Sequence, residues 1–270
     1  MKGLVFTKMH GGGNDFILID NRTGVVGEDA AGLARMLCRR KFSVGADGLI
    51  LIEPSNTADF RWRFYNADGS EAEMCGNGAR CAARFAYLSG IAGPRLRFET
   101  QAGLIHGEVT DGRVRIGLSP PQNLVCDIII SVDGKPIKVH HVNTGVPHTI
   151  LLTDDLDTAP VRELGRAIRF HERFAPAGTN VNFVQVFHPH SIRIRTYERG
   201  VEDETLACGT GAAASAIVTS HLSLTKSPVS VLTQGGEELT VHFTTGRDGR
   251  IEEVLLEGDA VRVYTGRIEE

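Results

Sequence analysis

The same short pattern occurs twice in the chain, and each copy stands at the start of an alanine-rich helical stretch. The first copy is Met74-Cys75-Gly76-Asn77-Gly78-Ala79 and the second is Ala207-Cys208-Gly209-Thr210-Gly211-Ala212. A Gly-rich turn that becomes a helix N-terminus presents backbone N–H groups, which bind anions and stabilise a cysteine thiolate. The repetition therefore predicts an internal duplication in which two thiols face one anionic ligand from opposite sides.

Size and composition exclude several classes of protein. The chain has 270 residues, of which 41% are hydrophobic and 23% charged, as in ordinary globular proteins. Its net charge of −4 gives no indication of the positively charged surface that binds nucleic acid. No stretch approaches the ~18 apolar residues of a membrane span, and residues 1–8 lack the apolar core of a signal peptide. Five cysteines, an odd number, argue against a disulfide scaffold. We expect a cytoplasmic protein with reduced thiols.

Short apolar or alternating runs predict strands throughout the chain, with few helices between them. The helical patterns cover residues 29–41, 76–88, 161–170 and 209–222, and the strand patterns cover 4–9, 16–20, 49–53, 60–65, 96–99, 114–118, 181–187, 192–197, 229–232, 239–243 and 261–264. This order favours an α+β fold over a doubly wound parallel sheet, which needs regular strand–helix alternation. The turn-rich segment 119–123 separates the halves, so we predict lobes at 1–119 and 120–259.

Polar residues near the two cysteine turns are candidates for binding a ligand. Asn14 follows the Gly11-Gly12-Gly13 turn, which precedes a strand and so lacks the context of a dinucleotide fingerprint. Asn66 precedes Cys75, and Glu198-Arg199 precedes Cys208. An arginine fork binds a carboxylate bidentately and a glutamate binds an ammonium, so this pair fits an amino-acid ligand. The alternative is an exposed pair without a ligand.

A metal site and further reactive thiols have less support. The sequence lacks the Cys-X-X-Cys or His-X-X-X-His spacing of a closed zinc site at either cysteine turn, so we expect no metal. Cys38 and Cys126 are predicted to fill core or boundary positions, and Cys81 is predicted to pack on another face of its helix.

Taken together, five motifs closely resemble the diaminopimelate epimerase family over essentially the whole chain. They are the segments 6–16, 66–70 and 75–81, then Asn180-Val181-Asn182-Phe183, and finally Tyr197-Glu198-Arg199-Gly200 with residues 207–211. The resemblance implies two pseudo-symmetric lobes, each a barrel-like sheet around a central helix, and an active site without cofactor or metal. It also implies that the C-terminal strand, residues 260–270, crosses back onto the first lobe.

The resemblance assigns roles residue by residue. Cys75 and Cys208 match the family's acid/base cysteines. Asn14, Asn66, Asn180 and Arg199 match groups that hold the distal end of the substrate, Glu198 matches the receptor of the amino group, and the amides of Gly76, Asn77, Gly209 and Thr210 match those that hold the reacting carboxylate. The implied reaction inverts one α-carbon of a diamino dicarboxylic acid, and family members are often homodimers.

Two positions depart from some members of the family. Val146 stands where an asparagine often contacts the distal end of the substrate, and Gly48 stands where some members have glutamine. Proline racemase-like relatives would carry histidine at the position of Asn77. The rival hypothesis from another class is a non-enzymatic amino-acid-binding or thiol redox-sensing protein that uses the same cysteines.

Overall fold

The duplicated sequence pattern corresponds to two units of the fold. In the computed structural model, residues 3–247 and 249–269 are described. The contacts between residues divide the chain into one unit formed by the described residues of Met1–Ile116 and Gly258–Glu270, and a second formed by those of Gly117–Glu257.

The described residues of the first unit form eight strands and two helices. In chain order they are β1 (Val5–Gly11), β2 (Asn14–Asp20), α1 (Ala30–Leu37), β3 (Gly48–Glu53), β4 (Phe60–Asn66), α2 (Gly76–Leu88), β5 (Arg95–Thr100), β6 (Gly103–Thr110), β7 (Arg113–Leu118) and, from the C-terminus, β17 (Val261–Arg267). The strands pair in the order β17, β1, β2, β3, β4, β5, β6, β7. The pairs β2–β3 and β4–β5 are parallel and the others are antiparallel.

The second unit repeats this plan with one extra strand. Its elements are β8 (Gln122–Val132), β9 (Lys135–Asn143), β10 (Pro147–Leu152), α3 (Val161–Arg169), a 3-10 turn at Glu172–Phe174, β11 (Asn180–His188), β12 (Ser191–Glu198), β13 (Asp203–Thr205), α4 (Gly209–His221), β14 (Val229–Leu232), β15 (Glu238–Thr245) and β16 (Ile251–Asp259). The strands pair in the order β8, β9, β10, β11, β12, β14, β15, β16, and β13 pairs with one end of β12. The parallel pairs, β10–β11 and β12–β14, fall at the same places in this order as in the first unit.

One central helix in each unit is enclosed by strands. α2 contacts β1, β2, β3, β6 and β17, and α4 contacts β9, β10, β11, β12, β14 and β15. α4 is made mostly of small residues and is buried on every side from Gly211 to Thr219, and in α2 the small residues Ala82, Ala83 and Ala86 are fully buried. Small side chains let strands approach a helix from many directions, whereas a surface helix would carry one apolar stripe. The predicted α+β fold, with a sheet around a central helix in each lobe, is confirmed.

The outer helices α1 and α3 cover the other faces of the sheets. Leu33, Ala34 and Leu37 of α1 pack with Ile17, Leu49 and their neighbours, and Val161 and Ile168 of α3 pack with Val181, Phe183 and theirs. α1 is shorter than the predicted 29–41, because its C-terminal carbonyls accept hydrogen bonds from Gly45 and Ala46 as the chain turns back. Within the described part of the chain, no helix has the length and apolar character needed to cross a lipid bilayer.

Candidate functional site

Each of the two predicted cysteines is the N-cap residue of an enclosed helix. Cys75 precedes α2 with extended backbone angles, φ −146° and ψ 119°, and its Sγ accepts a hydrogen bond from Gly78 N–H at 3.4 Å. Cys208 precedes α4 with φ −137° and ψ 105°. The first-turn amides of a helix have no partner within the helix, so each thiol lies beside N–H groups that favour negative charge.

Burial and a neighbouring charge keep Cys208 protonated. The pKa of this thiol is raised to about 12, first by burial and second by the negative charge of Glu198. Hydrogen bonds from the Thr210 hydroxyl and from the N–H groups of Gly211 and Thr210 act in the opposite direction, because they stabilise the thiolate. Cys208 is therefore a thiol at neutral pH, with donors already in place for the anion that forms when it loses its proton.

A polar cluster that the sequence did not predict lies behind Cys208. The Thr210 hydroxyl is 3.6 Å from Cys208 Sγ and 3.0 Å from Nε2 of His148. His148 is fully buried, and burial lowers its pKa to about 3, so the imidazole is neutral. Thr144 donates its hydroxyl to the Thr210 carbonyl at 3.0 Å. These contacts fix the Thr210 side chain beside the thiol.

Asn180, Glu198 and Arg199 meet where β11 begins and β12 ends. The Asn180 side chain donates to the Pro147 carbonyl at 3.2 Å and accepts from the Arg199 N–H at 2.8 Å. One guanidinium nitrogen of Arg199 donates to the Ala177 carbonyl at 3.0 Å. Burial raises the pKa of Glu198, and a hydrogen bond from Thr205 partly offsets this. The structure thus brings these three predicted residues together in the second unit.

In the first unit, Asn14 and Asn77 are joined directly. Asn77 donates through Nδ2 to Asn14 Oδ1 at 2.9 Å and to the Gly12 carbonyl at 3.2 Å, and its own Oδ1 accepts from Arg80 at 2.9 Å. The Asn77 side chain therefore holds the Asn14 loop. Asn66 is exposed at the end of β4 and donates to Ser70 Oγ at 3.0 Å.

An ionic cluster supports Asn14 from the other side. Asn14 Nδ2 donates to Asp47 at 3.0 Å, Arg40 bridges Asp47 and Asp15 at 2.8 and 2.5 Å, and Lys8 lies 2.8 Å from Asp15. Burial alone would raise the pKa of Asp15, but hydrogen bonds from Arg40 and Lys8 outweigh it and hold the pKa below its usual value. Lys8, Arg40 and Asp47 were not predicted from the sequence to support a site.

Of the two departures from the family pattern, the structure explains the one at Gly48. At Gly48, an added Cβ would lie 2.4 Å from a ring carbon of Phe64 and 2.8 Å from the Tyr65 carbonyl, so a side chain does not fit without displacing the ring. Val146 is half-buried in the turn before β10, and its carbonyl accepts from Thr144 N–H at 3.1 Å. The first departure follows from packing in the core of the first unit.

The remaining cysteines do not cap the central helices, and Cys38 lies within reach of the charges around Asp15. Cys38 is buried between α1 and the sheet, and burial raises its pKa to about 12. Cys81 is buried inside α2, and Cys126 is half-buried on β8. The predicted packing roles of Cys38 and Cys81 are confirmed. Among residues 3–247 and 249–269, no group of three or more His, Cys, Asp or Glu side chains is arranged to hold a metal ion.

One signal in the sequence could have identified the polar cluster. At the start of β11, Asn180 and Asn182 alternate with the apolar residues Val181 and Phe183. Asn182 is buried and therefore lies on a face of the strand that points to the core. Thr196 occupies a buried position of the neighbouring strand in the same way. A polar residue at a core position of a strand needs a partner, so such a pair predicts a buried polar network.

Comparison with known proteins places this geometry in a family. The family model described as "Diaminopimelate epimerase" matches residues 6–121 and 140–263. A diaminopimelate epimerase of Aquifex aeolicus is 49% identical, with 98% of each chain covered, and one of Archaeoglobus fulgidus is 44% identical, with 97% of this chain and 95% of the relative covered.

Solved structures share the fold at low sequence identity. A phenazine biosynthesis protein of the PhzF family from Bacillus anthracis is 16% identical with a TM-score of 0.75, covering 99% of each chain. A probable proline racemase from Agrobacterium radiobacter is 17% identical with a TM-score of 0.69, covering 98% of this chain and 92% of the other.

Proposed function

Because the chain belongs to the diaminopimelate epimerase family, a family of isomerases, we propose that it interconverts L,L-diaminopimelate and meso-diaminopimelate by a two-cysteine acid/base mechanism. The observation that carries the proposal is the equivalent placement of Cys75 and Cys208. Each caps a helix that strands enclose in the described part of its unit, and the main strands of the two units pair in the same order. The proposed substrate is a small amino acid with two ammonium and two carboxylate groups.

The reaction requires a base on one face of the α-carbon and an acid on the other. In the proposed step, one cysteine thiolate takes the α-proton, the C–H electron pair remains on the carbon, and the other cysteine gives its S–H proton to the opposite face. In the direction in which Cys208 is the acid, its raised pKa keeps the proton available until the carbanion forms. The two thiols exchange roles in the reverse direction, so they are expected to titrate as a coupled pair.

Stabilisation of the carbanion is assigned to the helix N-termini. We propose that the amides of Gly76, Asn77, Gly209 and Thr210 bind the reacting carboxylate, where charge develops as the α-proton leaves. Preorganised N–H donors of this kind supply a large part of catalysis in acyl and enolate chemistry. A positioned base contributes ~10²–10⁴-fold, so these donors have to supply much of the remainder.

Recognition of the rest of the substrate is assigned to polar groups of both units. We propose that Glu198 receives the amino group at the reacting carbon, and that Asn14, Asn66, Asn180 and Arg199 hold the distal end. The Asn180–Arg199 hydrogen bond supports this, because it fixes the arginine backbone at the end of β12. The product would serve lysine and peptidoglycan precursor biosynthesis, and a homodimer and a cytoplasmic location stay predictions.

Exchange of the α-proton with solvent tests the function. The protein is incubated with L,L-diaminopimelate in D₂O, and deuterium at the α-carbon is measured together with the appearance of the meso isomer. We expect both signals, since a thiol that exchanges with solvent returns deuterium to the carbon. The rival binding or redox-sensing protein would give neither, and that result would overturn the proposal.

A further inference from the structure

Three buried polar side chains and the half-buried Thr210 form a continuous hydrogen-bonded chain that ends at Cys208. Thr196 donates to Asn182 Oδ1 at 2.9 Å, Asn182 Nδ2 lies 3.0 Å from His148 Nδ1, and His148 Nε2 lies 3.0 Å from Thr210 Oγ1. The Thr210 hydroxyl is the group next to Cys208 Sγ. His148 and Asn182 are fully buried and Thr196 is 2% exposed, so solvent does not compete for the Thr196–Asn182 and Asn182–His148 bonds.

Two neighbours fix the direction in which the Asn182 amide points. The Thr149 backbone carbonyl lies 3.5 Å from Nδ2, and a carbonyl oxygen can only accept a hydrogen bond. Thr196 donates its hydroxyl to the other end of the amide, at Oδ1. The NH₂ group of Asn182 therefore faces His148, and Nδ1 of that imidazole is the acceptor.

The direction of every later hydrogen bond follows from this one. A neutral imidazole carries one proton, so a histidine that accepts at Nδ1 carries its proton on Nε2. Nε2–H then donates to Thr210 Oγ1, which leaves the Thr210 hydroxyl proton to point toward Cys208 Sγ. A hydroxyl that donates to sulfur stabilises the thiolate that remains when Cys208 gives up its proton.

The equivalent positions of the first unit show that the fold does not need this polar chain. In the second unit, the pairing of β10, β11 and β12 aligns His148 with Asn180, and Asn182 with Thr196. In the first unit, the same pairing of β2, β3 and β4 aligns Phe16 with Gly48, and Ile50 with Phe64. The counterparts of His148, Asn182 and Thr196 are thus Phe16, Ile50 and Phe64, which are core residues.

We propose that Asn182, anchored by Thr196, is a positioning residue that sets the tautomer of His148 and so directs the Thr210 hydroxyl at Cys208. This inference rests on the proposed role of Cys208 as an acid/base group. Gly211 is part of the arrangement, because a Cβ at that position would lie 2.4 Å from Asn182 Oδ1 and 3.2 Å from Cys208 Sγ. The second glycine of the duplicated Cys-Gly-X-Gly pattern thereby leaves room for the amide.

The test measures the tautomer and the thiol without any substrate. Long-range ¹H–¹⁵N spectra of histidine-labelled protein, assigned with His148→Gln, report which nitrogen carries the proton. Mapping of alkylated peptides between pH 8 and pH 10 gives the reactivity of Cys208. We expect the Nε2–H tautomer in the wild type. In Asn182→Leu we expect mixed tautomers and roughly tenfold slower alkylation at pH 8, since a hydrogen bond to a charged group is lost.

Matched threonine variants separate positioning from stability. Thr196→Val is expected to slow alkylation, and Thr196→Ser, which keeps the hydroxyl, is expected to restore it. Thr225→Val also removes a buried hydroxyl, whose 2.8 Å bond joins Thr219, and is expected to leave alkylation unchanged. Glu198 faces Cys208, and His141 and Arg199 face His148, and all three remain in every variant.

Each outcome bears on one proposal. An Nδ1–H tautomer in the wild type would overturn the inference, as would an alkylation profile of Thr196→Val equal to that of Thr225→Val. If Asn182→Leu does not fold, the Thr196 pair of variants and the wild-type spectrum still decide the question. Absence of α-proton exchange in the wild type would overturn the proposed function. The tautomer and thiol measurements would still show whether Asn182 orients His148 and Thr210 toward Cys208.

Discussion

At the scale of single residues, the two half-sites differ in the chemistry that surrounds equivalent positions. Strand register makes Asn14 the counterpart of Val146, Gly48 that of Asn180, and Asn66 that of Glu198. In the first two of these pairs, an apolar or absent side chain in one unit corresponds to a polar one at the equivalent place in the other. The duplicated scaffold repeats the cysteines, while an asymmetric amino acid is expected to require different groups on its two sides.

Removal of either proposed acid/base thiol tests whether both are needed. We expect Cys75→Ala and Cys208→Ala each to reduce epimerisation by at least ~10²-fold, because one face of the α-carbon loses its proton donor or acceptor. Initial rates with L,L-diaminopimelate and circular dichroism of each variant check this. Cys126→Ala, which changes a half-buried thiol on β8, serves as the control with unchanged activity. A single variant that keeps most of the turnover would contradict the two-base mechanism.

Arg199 is expected to select for a second carboxylate on the substrate. Arg199 is half-buried and one guanidinium nitrogen donates to the Ala177 carbonyl, which orients the fork at the end of β12. Lysine has the chain length of diaminopimelate without the distal carboxylate, and we expect its kcat/KM to be lower by about 10²-fold. Arg199→Lys is expected to raise KM for diaminopimelate, since a point charge does not reproduce a bidentate contact. Equal kcat/KM for both amino acids would refute the assignment.

Sequence motifs identified some of these residues and could not identify others. The Cys-Gly-X-Gly pattern indicates a chemical role directly, because a glycine-rich helix start places backbone N–H groups beside the thiol. Both cysteines were therefore predicted to lie at helix N-termini. His148, Asn182 and Thr196 come from three strands, and only the strand register brings them together. Likewise Lys8, Arg40 and Asp47 appear as ordinary charged residues until pairing places them around Asp15. The roles assigned to the binding residues stay predictions.

At the scale of elements, the two central helices depend on small side chains. Ala83 of α2 is fully buried, and the Cβ that an alanine at Gly107 of β6 would carry lies 3.5 Å from it. Strands can approach the helix this closely only because neither position carries a large side chain. The enclosure also orients the helix N-terminus, so packing along the helix fixes where the cysteine at its start lies.

Enlarging one of these alanines is expected to destabilise the protein without changing helix propensity. Alanine and leucine are both good helix formers, so Ala83→Leu isolates the packing effect. We expect the free energy of unfolding to fall by ~1–3 kcal/mol in urea titrations, because the helix has no space for the added methyl groups. Tyr87→Leu, at a position of the same helix that is 42% exposed, is expected to remain within ~0.5 kcal/mol of wild type. Equal effects of the two changes would show that the enclosure is loose.

Predicted and observed elements agree for the four helices and for most strands. The four helical patterns correspond to α1–α4, and α2 covers the predicted range. Six strands were not predicted, namely β6, β8, β9, β10, β13 and β16. Most of β8 is exposed on alternate residues, Asn123 and Asp127 within it have positive φ angles, and its register with β9 shifts twice. Because Val125 and Ile129 occupy exposed positions and the bulges interrupt the pairing, the sequence of β8 does not show the apolar–polar alternation on which strand prediction depends.

At the scale of the whole molecule, the chain is built as two copies of one topology. Each unit has its own pair of buried clusters, one between the sheet and the central helix and one between the sheet and the outer helix. β17 pairs with β1, so the last strand of the chain belongs to the first unit. We propose that these units correspond to the domains expected at 1–119 with 260–270 and at 120–259. Each unit also buries a thiol whose pKa is raised, Cys38 in the first and Cys208 in the second.

The buried thiols are expected to make the molecule less stable in alkaline solution. A cysteine thiol in the unfolded chain has a pKa of 9.0. Burial in the folded protein raises the pKa of Cys38 and of Cys208 to about 12. Above pH 9 the unfolded chain loses these protons while the folded chain keeps them. The free energy of unfolding therefore falls as the pH rises from 9 toward 12, by up to ~1.4 kcal/mol per pH unit for each thiol. Below pH 9 both states are protonated, and the contribution is constant.

Urea titrations at pH 8, 9 and 10 check this slope, with variants that remove one thiol at a time. Cys38→Ala lowers stability at every pH because it leaves a gap in the core, but its decline above pH 9 should be shallower than that of wild type. Cys208→Ala should flatten the decline in the same way, and Cys126→Ala, whose thiol is only half-buried, should change it least. Parallel curves for wild type and Cys38→Ala would mean that the thiol ionises as readily in the folded protein as in the unfolded chain. Burial between α1 and the sheet would then not hold the proton on Cys38.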